Sequence, residues 1–82
     1  MKVDLQEMQD KGAKYKNLLN LSQAQKLHLL NILKYNKKEK FIEKMLEICV
    51  ACQVPMPIEF TKVDDDDNFN MIALAFIAGL QS

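Results

Sequence analysis

Apolar residues in this chain recur at three- and four-residue steps, the period of helices buried on one side. From about Val3 to Leu19, the residues Leu5, Met8, Gly12, Tyr15 and Leu19 fall on one stripe, with Lys11 and Lys14 opposite. Gly12, inside that stripe, either lets a second helix come close or marks a bend. Ser22 followed by Gln25 is a capping box, which starts a second helix running to about Tyr35. There Leu27, Leu29, Leu30, Ile32 and Leu33 point almost all round the axis, the pattern of a central helix covered on several sides. Asn36, with Glu39 three residues on, is expected to cap a third helix. Its Phe41, Ile42, Met45, Ile48, Cys49 and Cys52 share one face, and Lys40, Glu43, Lys44 and Glu47 the other.

Val54-Pro55-Met56-Pro57 closes the third helix, because a residue before proline is biased away from helical angles. Pro57 is then expected as the first residue of a short fourth helix, Ile58 to about Val63, anchored by Phe60. The acidic run Asp64 to Asp67 precedes a last helix, about Asn68 to Gln81, that carries no charged residue. Phe69, Ile72, Ala73, Phe76 and Leu80 make one face of it, and Met71, Leu74 and Ala78 another. Two readings of that second face stand: the first helix covers it, or it is a docking surface for another protein.

Nearly half of the 82 residues are apolar and only two are Gly and two Pro, which excludes a disordered tail. The expected fold class is all-α, a compact bundle of about five helices forming one domain over residues 1–82. Roughly 60% of the unfolded surface can be buried at this length, enough for one modest core. The longest apolar run, Met71 to Leu80, is about half of a membrane span. Met1 leads into a mixed acidic and basic stretch rather than the apolar core of a signal peptide. With two Cys, that pattern implies a reducing, cytoplasmic location and no membrane association.

The formal charge is zero, but it is unevenly spread. Residues 11–44 hold nine lysines against Glu39 and Glu43, a segment of +7, while residues 1–10 carry −2 and residues 45–82 carry −5. A basic segment points to an anionic partner. Lys37 and Lys38 also sit in the first turn of the third helix, where they oppose the helix dipole. The candidate nucleic-acid-binding residues are Lys26, Lys34, Lys37, Lys38, Lys40 and Lys44. The chain has no Arg, so bidentate reading of guanine is excluded, and lysines acting as point charges on phosphate imply sequence-independent contact.

Catalytic chemistry is not indicated. Cys49-Val-Ala-Cys52 spells C-x-x-C, but both residues lie late in a helix on its apolar stripe, whereas redox motifs place the first Cys at a helix N-terminus. Zinc requires four ligands, and only His28 and acids remain. His28 has no second ligand beside it and reads as a packed or half-exposed side chain. The acidic run lacks the Gly and Glu of a calcium loop, with Phe69 and Ala75 at those positions, and reads as a helix cap. There is no Gly-rich phosphate loop and no nucleophile–base set. A non-enzyme without metal or cofactor is expected.

From Lys26 onward the order of features resembles the small subunit of type I-B CRISPR Cascade, equivalent to the C-terminal helical domain of that system's large subunit. The residues that carry the resemblance are Lys26-Leu-His-Leu-Leu-Asn-Ile-Leu, the turn Asn36-Lys37-Lys38-Glu39-Lys40-Phe41, Val54-Pro55-Met56-Pro57, and Phe76-Ile77-Ala78-Gly79-Leu80. Gly12 to Leu19 fits as the preceding helix, so that about 70 residues are covered. The family often has an Arg and an aromatic late in the third helix, where this chain has Glu47-Ile48-Cys49. The resemblance implies a five-helix bundle lining the belly of a crRNA-guided surveillance complex in antiviral defence. Its implied partners are the Cascade large and backbone subunits, further copies of itself, and the crRNA/target DNA complex, mainly the displaced DNA strand. A different class of function also fits the residues: a small helical inhibitor or adaptor, phage-encoded for example, in which Asp64 to Asp67 mimic DNA.

Overall fold

The computed structural model describes residues 3–82 and contains five helices: α1 (Leu5–Leu19), α2 (Gln23–Lys34), α3 (Lys38–Ala51), α4 (Glu59–Lys62) and α5 (Asp66–Leu80). No strand occurs among the described residues. The all-α bundle expected from the periodicity is the architecture observed.

Helix ends follow local side-chain chemistry. Asp4 caps α1 by accepting from the Gln6 N–H at 2.8 Å. Ser22 and Gln25 form both arms of the capping box, at 3.1 and 2.9 Å. Asp65 caps α5 by accepting from the Asp67 N–H, and Asp66 and Asp67 fill the first turn, where carboxylates complement the helix dipole. The acidic run is therefore built into the start of α5, with all four carboxylates exposed.

Three expectations are corrected. Asn36 does not cap α3. It ends α2 in the left-handed region, at φ 56°, where its N–H reaches the Leu33 carbonyl and the Lys37 N–H reaches Ile32. That is a Schellman closure, in which Asn tolerates the conformation glycine usually takes. α3 consequently starts from Lys37 with no side-chain cap. Gln53 closes α3 in the same way, at φ 60°. Pro57 does not open α4 either: the helix begins two residues later, and Pro57 is buried, its carbonyl accepting from the Phe60 N–H at 3.3 Å. Lastly, α2 is not the central helix. Leu29, Ile32 and Leu33 are buried, but Leu27 is 52% exposed.

α5 holds the centre and touches each of the other four helices. Its most extensive contact is with α1, at Gly12 and Gly79. A Cβ on Gly79 would lie 2.8 Å from the Gly12 Cα and 2.6 Å from the Ala13 nitrogen. A Cβ on Gly12 would lie 2.9 Å from the Phe76 carbonyl carbon and overlap its oxygen. Of the two readings of Gly12, close approach is correct, and α1 runs through it unbroken. The two helices meet backbone to backbone because neither glycine has a side chain.

Four phenylalanines, all fully buried, tie α3 and α4 to this pair. Phe60 sits edge-on to Phe41 and Phe76 at 5.4 Å, and Phe69 lies 5.7 Å from Phe41. These edge-to-face pairs hold α3 and α4 against α5. Polar contacts close the periphery. Lys11 grips both carboxylate oxygens of Glu59 at 2.9 and 2.7 Å, Tyr15 donates to the Pro55 carbonyl at 2.6 Å, and Lys16 donates to the main-chain oxygen of Ser82. Burial alone would raise the Glu59 carboxyl, but hydrogen bonding to Lys11 and to its own backbone, with the Lys11 charge, leaves it below the ordinary carboxylate range.

Within most helices Gly→Ala stabilises by about 1 kcal/mol. Gly79→Ala is expected to reverse that sign and to cost about 1–3 kcal/mol, because the methyl group has only backbone to displace. A urea denaturation midpoint equal to or above that of the parent protein would contradict the crossing.

Candidate anion-binding furrow

α2 and α3 are joined by the short turn Tyr35-Asn36-Lys37 and run antiparallel. A furrow lies between them. Its far end is lined by Leu19, Leu21, Gln25, Lys44, Glu47, Ile48, Ala51 and Cys52. Its middle, about 220 Å³, is lined by Ala24, Gln25, His28, Leu29, Lys44 and Ile48. The end beside the turn, about 180 Å³, is lined by His28, Asn31, Ile32, Tyr35, Lys37 and Lys40. The middle stretch shares Gln25, Lys44 and Ile48 with the far end and His28 with the end beside the turn, so the three lie in succession along the furrow.

Lys37, Lys40 and Lys44 line this furrow because they recur at three- and four-residue steps on one face of α3. At 1.5 Å per residue the stripe is about 10 Å long. Glu47 stands at its far end and pairs with Lys44 at 3.4 Å. Glu39 and Glu43 do not line it. The furrow thus carries three lysines against one carboxylate, with His28 exposed on its wall.

The other candidate lysines are placed differently. Lys38 faces inward from the turn: its ammonium donates to the Val63 carbonyl at 2.7 Å and stands 5.4 Å from the centre of the Phe69 ring. Lys38 therefore ties the start of α3 to the α4–α5 connection. Lys34 is exposed at the end of α2, its ammonium 6.0 Å from the Tyr35 ring centre. Lys26 is half-buried on α2 and does not line the furrow. His28, Asn31 and Tyr35 join the site from the α2 side, and none of them is among the candidate binding residues read from the sequence. The available signal was Tyr35 itself, a large aromatic two residues before the Lys37-Lys38 pair.

On α5, Met71 is 51% and Leu74 47% exposed, and Ala78 is exposed with them. α1 packs along the neighbouring stripe through Gly79 and leaves this face open. Cys49 is buried and Cys52 half-buried, both as free thiols. Burial, then the neighbouring Cys52, pushes the Cys49 thiol up, opposite to an activated thiolate.

No family model matches the chain, and neither a curated protein nor a solved structure matches it. Among the described residues no helix is long and apolar enough to cross a membrane.

The two classes of lysine are expected to respond differently to truncation. Lys38→Ala should destabilise the fold by about 1–2 kcal/mol, because it removes a charge-assisted hydrogen bond and a cation over an aromatic face. Lys40→Ala should stay within about 0.5 kcal/mol. Equal effects in chemical denaturation would show that Lys38 is not a structural tie.

Proposed function

We propose that this chain is a non-catalytic binding module that lays lysines along a nucleic-acid backbone, and that it serves as the small subunit of a crRNA-guided CRISPR surveillance complex. The observation that carries the binding role is the convergence of Lys37, Lys40 and Lys44 on one furrow. A single strand carries one phosphate per about 3.4 Å along a duplex axis, so a stripe about 10 Å long matches roughly three phosphates. Nothing in the stripe reads base identity, and with no Arg in the chain the contact is sequence-independent. The assignment to Cascade rests on the run of short sequence matches. Two of these, Lys26 to Leu33 and Asn36 to Phe41, belong to the helices that wall the furrow.

In that role the displaced DNA strand occupies the furrow. Met71, Leu74 and Ala78 dock on a large subunit, a backbone subunit or a further copy of the chain. The exposed face of α5 supports the second statement, since no charge interrupts it and no other helix covers it.

Fluorescence anisotropy with labelled single-stranded DNA tests the binding role. The log–log salt slope should be about −2, from three phosphates at roughly −0.7 each. The triple variant Lys37→Glu, Lys40→Glu, Lys44→Glu should abolish binding while its circular dichroism is unchanged. Binding that survives this variant, or that depends strongly on base sequence, would contradict the role. Assembly is tested by co-purification with the subunits of a type I-B complex. Leu74→Asp should leave the helical content intact and remove the chain from the complex, because a lone charge would be trapped at the contact. A folded Leu74→Asp variant that co-purifies fully would place the docking surface elsewhere.

A further inference from the structure

We infer that Tyr35 is a base-stacking platform at the mouth of the furrow, so that the site selects single-stranded over double-stranded nucleic acid. This inference rests on the backbone-binding reading and adds a specificity to it.

Tyr35 is 67% exposed, far more than its size warrants in a domain that buries all four of its phenylalanines. The other tyrosine, Tyr15, packs edge-on against Phe76 at 5.5 Å and donates to the Pro55 carbonyl. Tyr35 has no aromatic partner among the described residues. It is nevertheless held in place. Its N–H donates to the Asn31 carbonyl, and the next residue, Asn36, is locked by the left-handed closure of α2 and by a hydrogen bond from Asn70 at 2.9 Å. The ring thus projects from a fixed stretch of backbone, so less conformational entropy is lost when a ligand covers it.

Its surroundings match the chemistry of a nucleotide. Tyr35 lines the same depression as Lys37 and Lys40, and stands on the α2 side of it with Asn31 and His28. Lysines that hold phosphates beside an aromatic face that holds a base is the arrangement by which proteins bind single strands without reading sequence. A duplex keeps its bases stacked on each other and cannot offer one to Tyr35, so only the phosphate contacts remain for it. Asn31 lines the depression beside Tyr35, where its amide can meet a base edge, and the Lys34 ammonium, 6.0 Å over the ring, adds positive charge.

The test uses the full chain, a fluorescein-labelled 16-nucleotide oligo-dT, an abasic strand of equal length and a duplex of equal length. Tyr35→Ala should weaken oligo-dT binding roughly tenfold, and binding of the abasic strand and the duplex by less than about twofold. Tyr35→Phe, which keeps the ring, should bind oligo-dT like the parent. Quenching of tyrosine emission by oligo-dT should vanish in Tyr35→Ala. If Tyr35→Ala binds oligo-dT normally while the Lys37, Lys40, Lys44 triple variant does not, the stacking inference fails and the backbone reading stands. If Tyr35→Ala weakens all three ligands equally, the ring is not a base platform. If the parent chain binds none of them, both readings fall together.

Discussion

α1 and α5 meet at Gly12 and Gly79, where any side chain on either residue would overlap backbone of the opposite helix. It is the most extensive contact between helices in the bundle. With α1 seated this close, α5 contacts all four other helices in a chain of only 82 residues and leaves the face of Met71, Leu74 and Ala78 open. Beyond the exposed Asp66 and Asp67 of its first turn α5 carries no charge, which suits a helix in that position. The phenylalanine cluster then fixes α3 and α4 against α5, with Phe60 at the junction of Phe41, Phe69 and Phe76.

Because α5 takes the centre, α2 and α3 are left as an outer hairpin. Each buries one side, and between their outer edges lies the furrow that collects Lys37, Lys40 and Lys44. Six of the nine lysines of the basic segment fall into two kinds. Lys11, Lys16 and Lys38 hold helices to each other or to chain ends, through Glu59, Ser82 and Val63. The furrow lysines are directed outward, and only Lys44 has an ion-pair partner among the described residues. A net charge that sums to zero conceals this division, since Asp4 and Asp65 cap helices, Glu59 ties Lys11, and Glu47 is the one carboxylate lining the furrow.

Much of the fold was legible in the residues. The apolar periodicity located the four long helices, the proline turn placed the short α4 to within a residue at each end, and the Ser22–Gln25 box was read in full because both of its arms are local in sequence. Buried Phe41, Phe60, Phe69 and Phe76 were legible for the same reason. What failed depended on three dimensions. Asn36 offers an N-cap and a left-handed C-terminal residue equally well, and only the approach of α3 decides between them. The all-round leucine pattern of α2 reads as a central helix, but centrality went to α5, whose Gly79 accepts Gly12; that pairing spans most of the chain. The site was partly legible, since the basic segment pointed to α3. Which lysines turn inward depends on where the α4–α5 connection passes, and a linear charge count cannot contain that. Tyr35, read in the sequence only as the end of the second helix, lines the furrow because α2 and α3 meet beside it.

The central claim is a division of labour: α1 and α5 hold the bundle, and the hairpin of α2 and α3 binds. Amide chemical-shift mapping by NMR during titration with single-stranded oligo-dT tests it residue by residue. The account predicts shifts concentrated at Gln25, His28, Asn31, Tyr35, Lys37, Lys40 and Lys44, with the amides around Gly12 and Gly79 unmoved. Shifts centred on α1, or on Met71, Leu74 and Ala78 of α5, would contradict it.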